Sequence, residues 1–168
     1  MKSNRLDQID IKILSILQAN GRMTNQTLSE RVGLSARPCL ERVRKLEAAG
    51  FIQRYMALLD AAQLGSSVMV IAEIALERQN KRGQPEFEQA MARLDEVIDC
   101  YEVSGPFDYI ARFVCPDIRS YQDLTASLID NETLSVARIV SNIVLRPVRE
   151  FSGFPLKLFL QARDDAAP

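Results

Sequence analysis

Gly33-Leu34-Ser35-Ala36-Arg37-Pro38-Cys39-Leu40-Glu41-Arg42-Val43-Arg44-Lys45-Leu46-Glu47-Ala48-Ala49-Gly50 is the stretch that decides how the rest of the chain reads. Ser35 is a favourable N-cap, Pro38 falls in the first turn, where its missing N–H costs least, and Gly50 can take the left-handed conformation that ends a helix. At 3.6 residues per turn Cys39, Val43 and Leu46 share one face with Leu40 at its edge. Arg37, Glu41, Arg44 and Lys45 project from the other side. Arg37, Glu41 and Lys45 are also spaced to pair along an ordinary solvated face, each pair adding about 0.2–0.5 kcal/mol. The flanking sequence separates a surface helix from one made for insertion.

Upstream, Leu6, Ile9, Ile13, Leu14 and Leu17 form the stripe of an amphipathic helix that Asn20-Gly21 closes. Thr24 can cap a short second helix carrying Leu28 and Val32, and Gly33-Leu34 turns into the third. Two helices joined by a short Gly-containing turn make a helix-turn-helix. After Gly50, Ile52, Arg54, Met56 and Leu58 alternate with Gln53, Tyr55 and Ala57, which predicts a strand and a winged variant. In that arrangement the third helix enters the major groove of duplex DNA. Arg37 and Arg44 then suit bidentate guanine readout and Glu41 a cytosine amine, with Ser35 at the leading end of the same helix. Thr24, Asn25, Arg42, Lys45 and Arg54 suit phosphates. Two alternatives stay open: a winged helix used for protein contacts, and Arg42 as a structural ion-pair partner.

The net charge of −1 conceals an asymmetry. Residues 1–60 carry ten Lys/Arg against six Asp/Glu, and residues 61–168 eleven against sixteen. A basic first third on an acidic remainder points to a polyanionic partner for the first piece alone. There is no histidine, and Cys39, Cys100 and Cys115 sit singly in apolar segments. That argues against a Cys/His zinc site, a His-based triad and a disulfide framework, and no cofactor is expected. No apolar run is long enough to span a bilayer, and the polar start Met1-Lys2-Ser3-Asn4-Arg5 is no secretion signal, so the expected location is the cytoplasm.

The short, small and polar stretch 60–67 reads as a linker between a domain at 1–59 and one at 68–168. Beyond it Val68 to Leu76 is a β-branched run, and Pro85 to Leu94 is helical with Phe87, Ala90, Met91 and Leu94 inward. Val97 to Val103 and Tyr109 to Val114 are strands about the turn Gly105-Pro106-Phe107-Asp108. Ser120 to Ile129 is helical and Val136 to Leu145 a strand. This is the βαββαβ order of a ferredoxin-like sheet with helices on one face, giving an α+β chain. Both alternating sets of Val68–Leu76 are largely apolar, as in a strand covered on both sides, and a second copy is the economical cover. Glu102 and Asp108 could serve an enzyme as acid and base, but no metal or cofactor motif accompanies them, and no enzymatic activity is expected.

The residues also resemble a known family over nearly the whole chain. Leu6-Asp7 with Asp10, Ile13-Leu14, Leu17, Asn20-Gly21-Arg22, Leu34-Ser35, Pro38-Cys39-Leu40, Arg42-Val43, Leu46-Glu47, Gly50, Ile52 and Tyr55 look like the N-terminal domain of the feast/famine (Lrp/AsnC) transcription regulators. Gly105 to Tyr109, Ser141-Asn142-Ile143-Val144-Leu145-Arg146 and Pro155-Leu156 look like its amino-acid-sensing domain. The resemblance implies a DNA-binding regulator whose second domain dimerises, assembles further, often to octamers, and binds an amino acid. It implies that the effector touches the loop Ser104, Gly105, Pro106, Phe107, Asp108 and Tyr109 and the final strand at Ile139 and Ser141. Read without it, Gly105 to Asp108 is an ordinary hairpin turn. Ile139 replaces a frequent Thr of the family, which implies an apolar pocket and a hydrophobic amino acid. A constitutive architectural DNA binder whose second domain only oligomerises is the competing expectation.

Overall fold

The computed structural model describes residues 6–77, 83–149 and 151–156. The polar start at residues 1–5 lies outside them. The described residues form two compact units, one running to Leu58 and resuming at Arg149, the other spanning Leu59–Val148. Residues 149 and 151–156, which the sequence groups with the second domain, cluster with the first unit.

Three helices build the first unit: α1 (Gln8–Ala19), α2 (Asn25–Val32) and α3 (Ala36–Ala48). Asp7 caps α1 by a capping box: its Oδ1 accepts from Asp10 N–H at 2.8 Å and its own N–H donates to Asp10 Oδ2 at 3.1 Å. Thr24 caps α2 as expected, Oγ1 accepting from Thr27 N–H at 3.2 Å. Ser35 has the extended N-cap backbone of α3, but its hydroxyl makes no capping bond. Gly33 and Gly50 bracket α3, both at φ 77°, where a side chain would be strained. Ile13, Leu28, Val32, Cys39, Val43 and Leu46 are the buried core, so the inward face of α3 is the one its spacing predicts.

The strand expected after Gly50 is absent: residues 52–60 form no ladder. Alternation fixes which way side chains point, but a strand also needs a neighbour to accept its hydrogen bonds, and the described residues offer none here. Met56 and Leu58 are consequently 70% and 82% exposed. Tyr55 is the residue that turns back, its ring packing over Gly21 and its hydroxyl donating to Glu47 Oε1 at 2.9 Å. The stretch read as a linker contains one helical turn, α4 (Ala61–Leu64).

The second unit runs β1 (Val68–Leu76), α5 (Gly83–Met91), β2 (Val97–Glu102), β3 (Tyr109–Cys115), α6 (Ile118–Asp130), a 3-10 turn at Glu132–Leu134 and β4 (Val136–Ile143). The sheet is antiparallel in the order β2-β3-β1-β4. Val70, Ala72 and Ile74 of β1 and Tyr109, Ala111, Phe113 and Cys115 of β3 face the helices, where Phe87, Met91, Tyr121 and Leu128 cover them. The other set of β1 is only half-buried, unlike the two-sided burial its composition predicts, because the helices of one chain cover one face.

Candidate nucleic-acid interface and effector loop

On α3 the inner face is spent on the core and the outer face is free for a partner. Arg37 is 91% exposed, and its only contact among the described residues is an ion pair with Glu41 at 3.4 Å, long enough to contribute little. Arg44, Lys45 and Arg54 are exposed. Ser35, released from capping, leaves its hydroxyl available beside Arg37.

Two of the sequence-predicted phosphate ligands are used otherwise. Asn25 Nδ2 donates to the Ala36 carbonyl at 2.8 Å, tying the start of α2 to the start of α3, and its buried Oδ1 has no partner among the described residues. Arg42 Nη1 donates to Asp7 Oδ2 at 2.6 Å and to Asp10 Oδ1 at 2.7 Å. Of the two roles its sequence leaves open, Arg42 thus takes that of an ion-pair partner, holding α3 against the start of α1. The bonds to Asp10 and then Asp7 raise the guanidinium above its ordinary value. Asp7 is lowered: partial burial pushes its carboxyl up, but the Asp10 N–H and Arg42 together outweigh that.

A pH dependence follows from this clasp. A carboxylate lowered in the folded state adds stability that is complete above its unfolded value, about pH 4, and is lost as pH falls through the folded one. Asp7→Asn is therefore expected to lower the melting temperature at pH 6 and to flatten its decline below pH 4, read by thermal melts at stepped pH. A variant with the wild-type acid profile would exclude the clasp as a source of acid lability.

The predicted effector loop lies at the end of β1. Asp108 N–H donates to the Ile74 carbonyl at 2.9 Å, and Asp108 Oδ2 accepts from Leu76 N–H at 2.7 Å. Asp108 thereby continues the ladder of β1 instead of leaving its whole carboxylate for a ligand. On the opposite edge of β1, Ile139 pairs with Ile74 and Arg138 with Ala75. Arg138 places its guanidinium over the Phe107 ring, 4.9 Å from the centroid. Ser104, Gly105 and Pro106 are exposed beside them.

Three residues of the predicted set turn away: Ile139 shares the face of its partner Ile74 and packs against the sheet core. Tyr109 is buried against Phe87, and its hydroxyl donates to Glu88 Oε1 at 2.8 Å; burial, and then that carboxylate, push its phenol up. Ser141 meets the Tyr121 hydroxyl at 2.5 Å. Arg138 is the residue the sequence missed: it stands in an alternating strand with nothing local to single it out, and only the register brings it to the loop.

Comparison with known proteins matches both units. Residues 6–53 fit a winged helix-turn-helix DNA-binding profile and residues 69–153 the Lrp/AsnC ligand binding domain. The leucine-responsive regulatory proteins of Escherichia coli K12 and Klebsiella pneumoniae are each 48% identical over 119 residues, 71% of this chain and 73% of theirs. Among solved structures, a transcriptional regulator from Neisseria meningitidis in complex with L-Met superposes with a TM-score of 0.84 at 31% identity, covering 92% of this chain and 99% of that one. An AsnC family transcriptional regulator from Agrobacterium tumefaciens gives 0.83 at 30% identity, covering 91% and 99%.

Proposed function

The chain belongs to the Lrp/AsnC family of DNA-binding transcriptional regulators, and on that premise we propose that it reads duplex DNA through the outer face of α3 and responds to an apolar amino acid bound at the end of β1. It is a regulator carrying a ligand-binding domain, not an enzyme. Its place of action in this reading is the cytoplasm, where DNA and free amino acids meet; among the described residues no helix is long and apolar enough to cross a membrane.

The division of α3 into a buried face and an arginine-bearing exposed one is the observation that carries the DNA reading. Arg37 and Arg44 donate to guanine edges, Glu41 accepts from a cytosine amine, and Ser35, Thr24, Lys45 and Arg54 hold phosphates. Asn25 and Arg42 serve indirectly, fixing the α2–α3 turn and the α1–α3 contact.

For the effector, the amides of Gly105 and Phe107 with Arg138 offer donors to a carboxylate. Backbone carbonyls and the second oxygen of Asp108 suit the ammonium, and the half-buried Phe107 ring offers an apolar surface to the side chain. The leucine-responsive relatives and the L-Met complex support a hydrophobic amino acid. A second copy of the chain is the cover proposed for the half-exposed sheet face, giving a dimer whose two-fold axis matches a palindromic operator, with an octamer as the larger assembly.

Thermal shift with single amino acids is the test. L-leucine or L-methionine at a hundred times its dissociation constant should add about 2.7 kcal/mol to the stability of the sheet unit, while L-lysine and L-aspartate leave it unchanged. If none of the twenty shifts the transition, the architectural DNA binder replaces this reading.

A further inference from the structure

The Gln18 side chain near the end of α1 grips the backbone of a residue 136 positions away. Phe154 N–H donates to Gln18 Oε1 at 2.8 Å, and Gln18 Nε2 donates to the Phe154 carbonyl at 2.9 Å. A primary amide carries the same donor and acceptor as a peptide group, so Gln18 stands where a neighbouring strand would. The residue beside this contact is fitted to it. Gly153 has φ 121°, and a Cβ there would lie 2.2 Å from Gln18 Cδ, so conformation and space both require glycine. Phe151 and Phe154 meet edge to face at 5.2 Å, which stiffens the segment on either side of that glycine.

α1 is also the helix that holds α3. Asp7 and Asp10 at its start clasp Arg42, while Gln18 lies two turns further on. One helix therefore connects the C-terminal segment to the recognition helix. We propose that the segment Phe151–Leu156 is a working part of the DNA-binding unit: pinned at Gln18, it fixes α1, and through the Arg42 clasp α3, in the geometry that binds a duplex, without itself touching DNA.

The test uses the full chain, a mixed-sequence duplex of about three helical turns, and two variants, Gln18→Ala and Gly153→Val. The second leaves every helical residue native, so an effect common to both cannot come from α1 itself. Hydrogen–deuterium exchange at the Phe154 amide should quicken about tenfold in each, since its acceptor is withdrawn. Duplex affinity should fall roughly three- to tenfold at every salt concentration. The slope of log affinity against log salt should stay at the wild-type value, because no phosphate contact is lost. Lys45→Ala, as a control, should reduce that slope by about one. Faster exchange with undiminished affinity would make the segment a passenger. Unchanged exchange would mean the contact does not hold it, and a shallower slope would mean that it reaches phosphate directly; each result overturns the proposal.

Discussion

Replacing Arg37 and Arg44 together by alanine should lower affinity for a target duplex by at least about thirtyfold and level the preference between target and altered sites. A bidentate guanidinium on a guanine edge discriminates against the wrong base by about 1–3 kcal/mol, and two such contacts place the loss well beyond what a surface substitution produces. The fold should be indifferent. Among the described residues Arg37 is paired only with Glu41, at 3.4 Å and in solvent, and Arg44 is exposed, so the melting temperature should move by a degree or two at most. Fluorescence anisotropy on a matched and a mismatched duplex separates affinity from selectivity. Retained preference between the two would remove α3 as the reader.

The largest stability effect is expected at Phe113, at the centre of the sheet and fully buried. Phe113→Ala should cost about 3–5 kcal/mol, the lost transfer energy plus an unfilled cavity. For a domain whose whole stability is about 5–15 kcal/mol, that leaves the sheet unit marginal. The ring also meets Tyr121 edge to face at 5.6 Å, and Tyr121 holds Ser141 of β4 by its hydroxyl. Damage at Phe113 should therefore reach the strand that carries Ile139 and Arg138. The first unit has its own core around Ile13 and Cys39, so urea unfolding followed by circular dichroism should show one transition moved and the other in place. A loss below about 1 kcal/mol would mean that the site collapses around the vacancy and that the sheet core is not organised on this ring.

What could be read directly was what local chemistry writes. Thr24 caps α2 because its spacing to the following amides is fixed within one turn, and β1 begins and ends at the residues its β-branched run marks. The buried face of α3 follows from periodicity alone. Most of the misreadings concern a second party. Residues 52–58 have the alternation of a strand and no strand to join. Asp108 looks available in the sequence because the amide that occupies it, that of Leu76, is 32 positions distant. Arg42 was legible as a choice between two roles; the two carboxylates that settle its contacts lie 35 and 32 positions earlier. The family resemblance implied an effector site at residues 104–109, yet only the register of β4 against β1 shows that Arg138 stands over that loop while Ser141 turns to Tyr121.

Because the described chain leaves its first unit near Leu58 and re-enters it near Arg149, it is threaded between the two units twice. A protease that nicks the exposed stretch around Gly65 would cut one strand of that loop and leave the downstream fragment still bearing the peptide that Gln18 captures. The two fragments should co-elute on a sizing column and part only when the capture is abolished. A nicked protein would then pass for an intact one in every assay except a denaturing gel.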